Sequence, residues 1–391
     1  MPQEINVRRR ILIISYLGFV SLGLPDTVLG VAWPEMRMDL GAPLSWAGIL
    51  ISLTTVISFG ASLASVKIMK KFSTGCILAS CALTTALAML GYALAPTLAV
   101  IAGFTLLFGI GQGAVDTAVN AHMARHYSSR HMNWVHGFWG MGAPAGPLIF
   151  AAAFGLASGW RSGYFCLFAI QLSMALIFFA TLKWWRLPLK EECRTEGEKL
   201  EEAAGAASLR RSAFGVLFYF CYPGLEVVTG LWGASYLIEV NQLTPQEAGS
   251  ALALYWGSLT LGRFAMGWLA GRFSNSALIR AGLMLVSACV LTAYLSPWPF
   301  LIIPALGLMG LGLSTLYPSM MHETPRRCGP ERLDKIISYQ VGAAMAGAAV
   351  LPALAGLYLR QAGLVRFPFL LIIMTLALIM VHELSAAKKK S

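Results

Sequence analysis

The sequence predicts an all-α, polytopic membrane protein with twelve transmembrane helices in two pseudo-symmetric six-helix halves. Three observations lead there. Of the 391 residues, 57% are hydrophobic and 12% charged, with a mean hydropathy of +0.67; a soluble globular chain carries about 25% charged residues. Apolar stretches of about 20 residues, each able to cross a hydrocarbon core of about 30 Å as a helix, recur along nearly the whole chain. Finally, 24 of the 29 Lys and Arg fall in alternate inter-helix segments, the asymmetry that marks cytoplasmic loops. The formal net charge of +11 is therefore read as topology rather than as affinity for nucleic acid.

Charge clusters and Gly/Pro turns delimit the spans in order. Span 1 covers 11–33. It follows Arg8-Arg9-Arg10 in the manner of a signal peptide, but its apolar run is longer than a signal's and contains Asp26, so it is expected to be retained. Spans 2 and 3 (46–66, 75–95) flank Lys67, Lys70 and Lys71, and spans 4 and 5 (98–121, 134–157) flank Arg125 and Arg130. Span 6 (163–185) leads into a segment holding seven Lys/Arg between Lys183 and Arg211. Spans 7 and 8 (212–238, 247–270) are followed by Arg272, and span 9 (277–295) carries Arg280 in its first turn. Spans 10 and 11 (299–321, 336–359) enclose Arg326, Arg327, Arg332 and Lys335, and span 12 (366–384) ends before Lys388 to Lys390. Both termini are expected in the cytoplasm of a cell whose plasma membrane the chain crosses. Arg37, Arg161, Arg360 and Arg366 lie outside, and Arg263 is the one basic residue well inside a span rather than at its end.

Residues 187–211 mix six Glu with Lys and Arg and read as a solvated cytoplasmic linker between an N-terminal half, 1–186, and a C-terminal half, 212–391. The halves echo each other. Asp26-Thr-Val-Leu-Gly30 in span 1 corresponds to Glu226-Val-Val-Thr-Gly230 in span 7, each followed closely by tryptophan, Trp33 or Trp232. Gly109-x-Gly111-x-Gly113 in span 4 has a looser counterpart in Gly307-x-x-Gly310-x-Gly312. An internal repeat in an all-helical membrane chain is the mark of a secondary transporter, with its site expected between the halves at mid-membrane.

An ionisable side chain at the bilayer centre costs about 2.5–3.5 kcal/mol on insertion scales, so each one calls for a reason. Three acids lie well inside spans: Asp26, Asp116 and Glu226. Gln112, Asp116 and Asn120 recur every four residues, which places amide, carboxylate and amide on one face of span 4, suited to a hydroxylated ligand in a water-filled cavity. Asp26 sits beside Pro25 and Gly30, where freed backbone groups line a broken helix. A carboxylate in apolar surroundings without a fixed cation exchanges protons near neutral pH, so Asp26 and Asp116 are the proton-coupling candidates. The structural alternative for each is a hydrogen-bonded clamp between helices.

Span 7 aligns Tyr219, Tyr222, Glu226, Thr229, Gly233 and Tyr236 on one face, and aromatic rings beside carboxylate and hydroxyl groups suit a sugar. His136 and Trp139 on span 5, Trp232 on span 7, Trp256 on span 8 and Gln340 on span 11 complete the candidate binding residues. Arg263, Gly30 and Gly230 are read as structural or gating. Seven scattered cysteines without metal-ligand spacing, and the absence of Walker A, HExxH and GxSxG motifs, argue against a metal centre, a primary pump and an intramembrane enzyme. No cofactor is expected beyond the proton gradient, and the glycines of span 4 read as close helix packing.

Several motifs carry a family likeness: Gly23-x-x-Asp26-x-x-x-Gly30, Gly113-x-x-Asp116-Thr-Ala-x-Asn120, Asn133-x-x-His136-x-Phe138-x-x-x-Gly142, Tyr222-x-Gly224-x-Glu226, and Gly262-Arg263-Phe264 with Gly267. On these the chain resembles a major facilitator superfamily transporter over essentially its full length, and within that superfamily the fucose:proton symporter family. The resemblance implies a proton-coupled importer working by alternating access, sufficient as a monomer, with Asp26 and Asp116 handling the proton and helping to bind sugar. Asp116 stands where that family commonly has Glu, and His136 and Trp139 stand where it presents two amides, so the implied solute is a sugar or another small hydroxylated molecule. Gly142-Ala-Pro-Ala-Gly146-Pro147 resembles the core of the drug:proton antiporter motif and implies the rival reading, export of an amphiphile. A non-transporting membrane sensor is the alternative from a different class.

Overall fold

The computed structural model describes the chain except for residues 1, 128, 157, 187–208, 270–271, 297, 329–332 and 387–391. Most of the expected linker and the terminal lysines Lys388 to Lys390 thus lie outside the described residues. Among the described residues all regular structure is helical, and ten stretches are long and apolar enough to cross a membrane. By contact the chain forms two compact units, Met1–Arg194 with Leu243–Ala253, and Thr195–Gln242 with Leu254–Ser391.

In the first unit, α1 (Pro2–Asp26) and α2 (Val28–Asp39) together make span 1; α3 (Trp46–Ile68), α4 (Thr74–Leu94), α5 (Leu98–His126), α6 (Ser129–Ala153) and α7 (Trp160–Ala180) follow. Span 1 runs beyond its expected limits at both ends. At the start, Arg8 donates to the carbonyl of His126 while its own carbonyl accepts the Tyr127 hydroxyl at 2.8 Å, so the basic residues continue the helix along the end of α5. At the far end, α2 continues to Asp39, whose carboxylate pairs with Arg161 at the start of α7.

Proline explains how α1 is seated. Pro25 has no N–H, so the carbonyl four residues back, Ser21, has no helical donor. Gln171 of α7 fills that gap: its Nε2 donates to the Ser21 carbonyl at 2.5 Å, and its Oε1 accepts the Ser21 hydroxyl at 2.5 Å. Pro147 of α6 likewise releases the Ala143 carbonyl, which accepts the Thr27 hydroxyl at 2.6 Å at the junction of α1 and α2. Gln171 is fully buried. Replacing it with Leu strands a buried carbonyl and hydroxyl, and the expected cost is about 1–3 kcal/mol; a thermal unfolding scan in detergent should show a lowered midpoint.

Glycine sets the spacing between helices. A Cβ on Gly23 would lie 2.2 Å from the Trp139 carbonyl oxygen, one on Gly142 2.4 Å from that of Val20, and one on Gly146 2.2 Å from that of Leu24. The α1–α6 seam is therefore backbone against backbone. Gly113 makes the same approach from α5 to Ser58 of α3, and Gly111 lies against Thr85 and Cys81 of α4. The Gly109–Gly113 run is thus a packing surface toward two neighbours, as small residues at membrane helix interfaces usually are.

The second unit contains α8 (Leu209–Glu239), most of α9 (Pro245–Leu269), α10 (Asn275–Leu295), α11 (Pro299–Ser314), α12 (Leu316–Cys328), α13 (Leu333–Ala362) and α14 (Phe367–Ala386). Residues 243–253, which the sequence reading assigned to the C-terminal half, group with the first unit: Gly249 of α9 meets Ala151 and the Pro147 carbonyl of α6. Gly347 of α13 packs on the Phe220 carbonyl of α8, and Arg280 of α10 holds Glu383 of α14 through two contacts of 2.8 and 2.9 Å. Span 10 is divided at Thr315 into α11 and α12, whereas α8, the counterpart of span 1, continues unbroken through Glu226.

Candidate functional site

In the first unit the polar groups collect on α1, α5 and α6. Asp26 is the last residue of α1 and is exposed. Asp116 is exposed on α5, and its carboxylate accepts a 3.0 Å hydrogen bond from Nδ2 of Asn120 one turn on. His136 of α6 is also exposed, lies within electrostatic range of Asp116, and sets its ring edge-on to Phe19 of α1 at 5.3 Å. An acid, an amide and an imidazole thus lie near one another on α5 and α6. Such a set can take up a proton and accept or donate hydrogen bonds to hydroxyl groups.

Gln112 does not join this set. Its side chain is 8% exposed and Nε2 donates to the Leu22 carbonyl of α1 at 3.2 Å. A spacing of four residues advances 400° around a helix, so each step drifts about 40° from the last. Over the eight residues from Gln112 to Asn120 the drift turns the first amide into the α1 interface. Trp139 is half-buried against the core that α1, α4 and α5 share. Gly30 is buried in α2, where Pro34 removes the helical donor to its carbonyl.

In the second unit, α8 and α9 hold a partly buried charge pair. Nη2 of Arg263 lies 3.1 and 3.3 Å from the two carboxylate oxygens of Glu226 and 3.3 Å from the Tyr222 hydroxyl, which itself donates to Glu226. The Tyr255 hydroxyl donates to the backbone carbonyl of Glu226 at 3.0 Å, tying α9 to α8 at that residue. Tyr317 of α12 lies edge-on against Tyr219 and tilted against Tyr222. Arg263, read from sequence as structural or gating, is thus the ionic partner of the acid read as a sugar ligand.

The remaining candidates are spread over the unit. Trp232 is fully buried and its Nε1 donates to the Pro352 carbonyl of α13 at 3.1 Å, which fixes it as a strut between α8 and α13. Gln340 is 2% exposed and exchanges hydrogen bonds with Thr324 of α12 at 3.0 and 3.2 Å. Trp256 is 6% exposed and lies over Gly230, where a Cβ would come within 2.4 Å of its ring; among the described residues its Nε1 has no hydrogen-bond partner.

Sequence reasoning missed several residues. Gln171, Ser21 and Thr27 could have been found by asking which carbonyls Pro25 and Pro147 release. Tyr255 had no such signal. His122 and His126, one turn apart at the end of α5, have ring centroids 4.7 Å apart, and His122 stands 4.9 Å from Trp185.

A sequence profile described as Major Facilitator Superfamily matches residues 15–236 and again 214–388. The chain belongs to the major facilitator superfamily. The two matches overlap over 214–236, and the family is one of membrane transporters rather than enzymes. Among curated relatives, the glucose/mannose transporter GlcP of Bacillus subtilis (strain 168) is 24% identical over 271 residues, covering 65% of this chain and 64% of the relative's length. A bacterial homologue of the human lysosomal transporter Spinster, in an inward-facing and unoccupied conformation, superposes with a TM-score of 0.77 at 14% identity over 97% of each chain. The nucleoside transporter NupG gives 0.72 at 14% identity, over 94% of this chain and 98% of its own. At these identities the two structures establish a shared major facilitator fold.

Proposed function

We propose that this chain is a proton-coupled symporter that imports a sugar or a similar small hydroxylated solute by alternating access across the plasma membrane, with both termini cytoplasmic. The observation that carries the reading is the set Asp116, Asn120 and His136 on α5 and α6, acid and imidazole exposed, together with the exposed Asp26 at the end of α1. Acids are retained at membrane depth when they serve a pathway, and carboxylates of this kind are proton carriers. Asp26 and Asp116 take the coupling role; Asn120, His136 and Trp139 supply hydrogen bonds and stacking for the solute. The glucose/mannose transporter relative and the motif resemblance to fucose:proton symporters support a hydroxylated solute. Export of amphiphiles draws no support from Gly142 and Gly146, since both are explained by the α1–α6 seam.

The test is uptake into proteoliposomes carrying a pH-sensitive dye in the lumen, with glucose and mannose as first probes. Adding sugar outside at equal pH should acidify the lumen. A luminal signal that never responds to any polyol, paired with a response to lipophilic cations, would replace this reading with the antiporter.

A further inference from the structure

We infer that Glu226 determines the charge selectivity of the solute site by occupying Arg263, so that neutral solutes are accepted and carboxylate-bearing ones refused. This inference rests on the hydroxylated-solute reading above. Arg263 is the one basic residue that the sequence places more than four residues from either end of a span. A guanidinium is always charged and matches carboxylates with paired N–H donors, and in a medium of low dielectric it is a strong anion receptor. Left to itself at this depth, Arg263 would select for sugar acids.

The structure shows the guanidinium already engaged by a carboxylate through Nη2. Both Glu226 oxygens lie within 3.3 Å of Nη2, the Tyr222 hydroxyl completes the group by contacting acid and base together, and Tyr255 pins the Glu226 backbone. The exposures are unequal. The Arg263 side chain retains 35% of its surface and Glu226 10%, so the cation is the more accessible member of the pair. A tethered carboxylate competes at an effective concentration of millimolar or above, at or beyond typical solute levels. The repeat makes the contrast sharper: Asp26, at the matching position of the first unit, is exposed at the end of a helix, whereas Glu226 is enclosed within one.

The experiment compares uptake of labelled glucose and labelled glucuronate by full-length wild type, Glu226→Gln and the double variant Glu226→Gln/Arg263→Gln in proteoliposomes. Expected are glucose uptake and no glucuronate uptake above empty liposomes for wild type, at least a tenfold gain in glucuronate for Glu226→Gln, and loss of that gain in the double variant. Glucuronate uptake by wild type, refusal by a folded Glu226→Gln, or a gain that survives loss of Arg263 would each overturn the inference. If Glu226→Gln cannot be reconstituted, Glu226→Asp carries the test, because its carboxylate is one methylene further from Arg263. Partial glucuronate entry is then expected, and refusal as complete as wild type's overturns the proposal. Failure of the hydroxylated-solute reading looks different: no form of the protein moves either sugar, whereas failure of this inference leaves glucose uptake by wild type intact.

Discussion

Asp116→Asn is expected to reduce proton-driven sugar accumulation to simple equilibration while sugar exchange continues. A pH difference of one unit is worth about 1.4 kcal/mol per proton and sustains about tenfold accumulation when one proton accompanies one neutral solute. Asparagine keeps the shape and the hydrogen bond with Asn120 but carries no titrating group, so the solute can still bind while the gradient no longer acts on it. In proteoliposomes with an acidic outside, the inside-to-outside ratio should fall from about ten to about one. Counterflow with unlabelled sugar in the lumen, which needs no net proton movement, should remain within a few-fold of wild type. Asp26→Asn is the paired measurement. Loss of accumulation in only one of them names the coupling acid; normal accumulation in both would remove the coupling role from this pair.

The choice between the two acids follows from their placement. Asp26 ends α1, one residue before Thr27 turns the chain into α2, and Thr27 is held by the carbonyl that Pro147 releases. Asp116 lies within a continuous helix and has an amide on one side and the His136 imidazole near it. Protonation at Asp26 acts where the helix is already broken, and protonation at Asp116 changes the charge that His136 meets. On the proposed symport reading, protonation of Asp26 would bear on the conformation and protonation of Asp116 on the solute.

Much of this arrangement was legible in the sequence because it depends on local pattern. Apolar run lengths located the spans, and the glycine run of span 4 was correctly read as packing, since spacing along one helix fixes which residues share a face. Two kinds of feature were not legible. Distribution around the helix is only approximate at a four-residue spacing, so the stripe of Gln112, Asp116 and Asn120 divides between an interface and an open face. Pairing between helices depends on three-dimensional approach. Arg263 and Glu226 are 37 residues apart, and nothing on either helix alone announces that they meet. The repeat misled in the same way: Asp26 and Glu226 occupy equivalent places in sequence, yet one helix breaks there and the other does not.

Arg263→Gln is expected to destabilise the protein more than Glu226→Gln does, although the two changes break the same ion pair. Breaking a buried pair costs about 3–5 kcal/mol, chiefly because the remaining charge is left unsolvated. The size of that penalty depends on which charge remains. Removing Arg263 leaves the carboxylate of Glu226, whose side chain is 10% exposed, with Tyr222 as a donor but no countercharge. Removing Glu226 leaves a guanidinium whose side chain is 35% exposed and can draw on water. The cost of the first change should therefore approach about 3 kcal/mol and that of the second should be smaller. The double variant, with no charge to strand, should recover much of the loss. Thermal unfolding in detergent can follow this with a thiol-reactive dye, because Cys289 is buried in the same unit and becomes reactive only on opening. Equal midpoints for the two single variants would mean that water reaches both charges alike, and that the covering of Glu226 by α8 and α9 does not persist in the working protein.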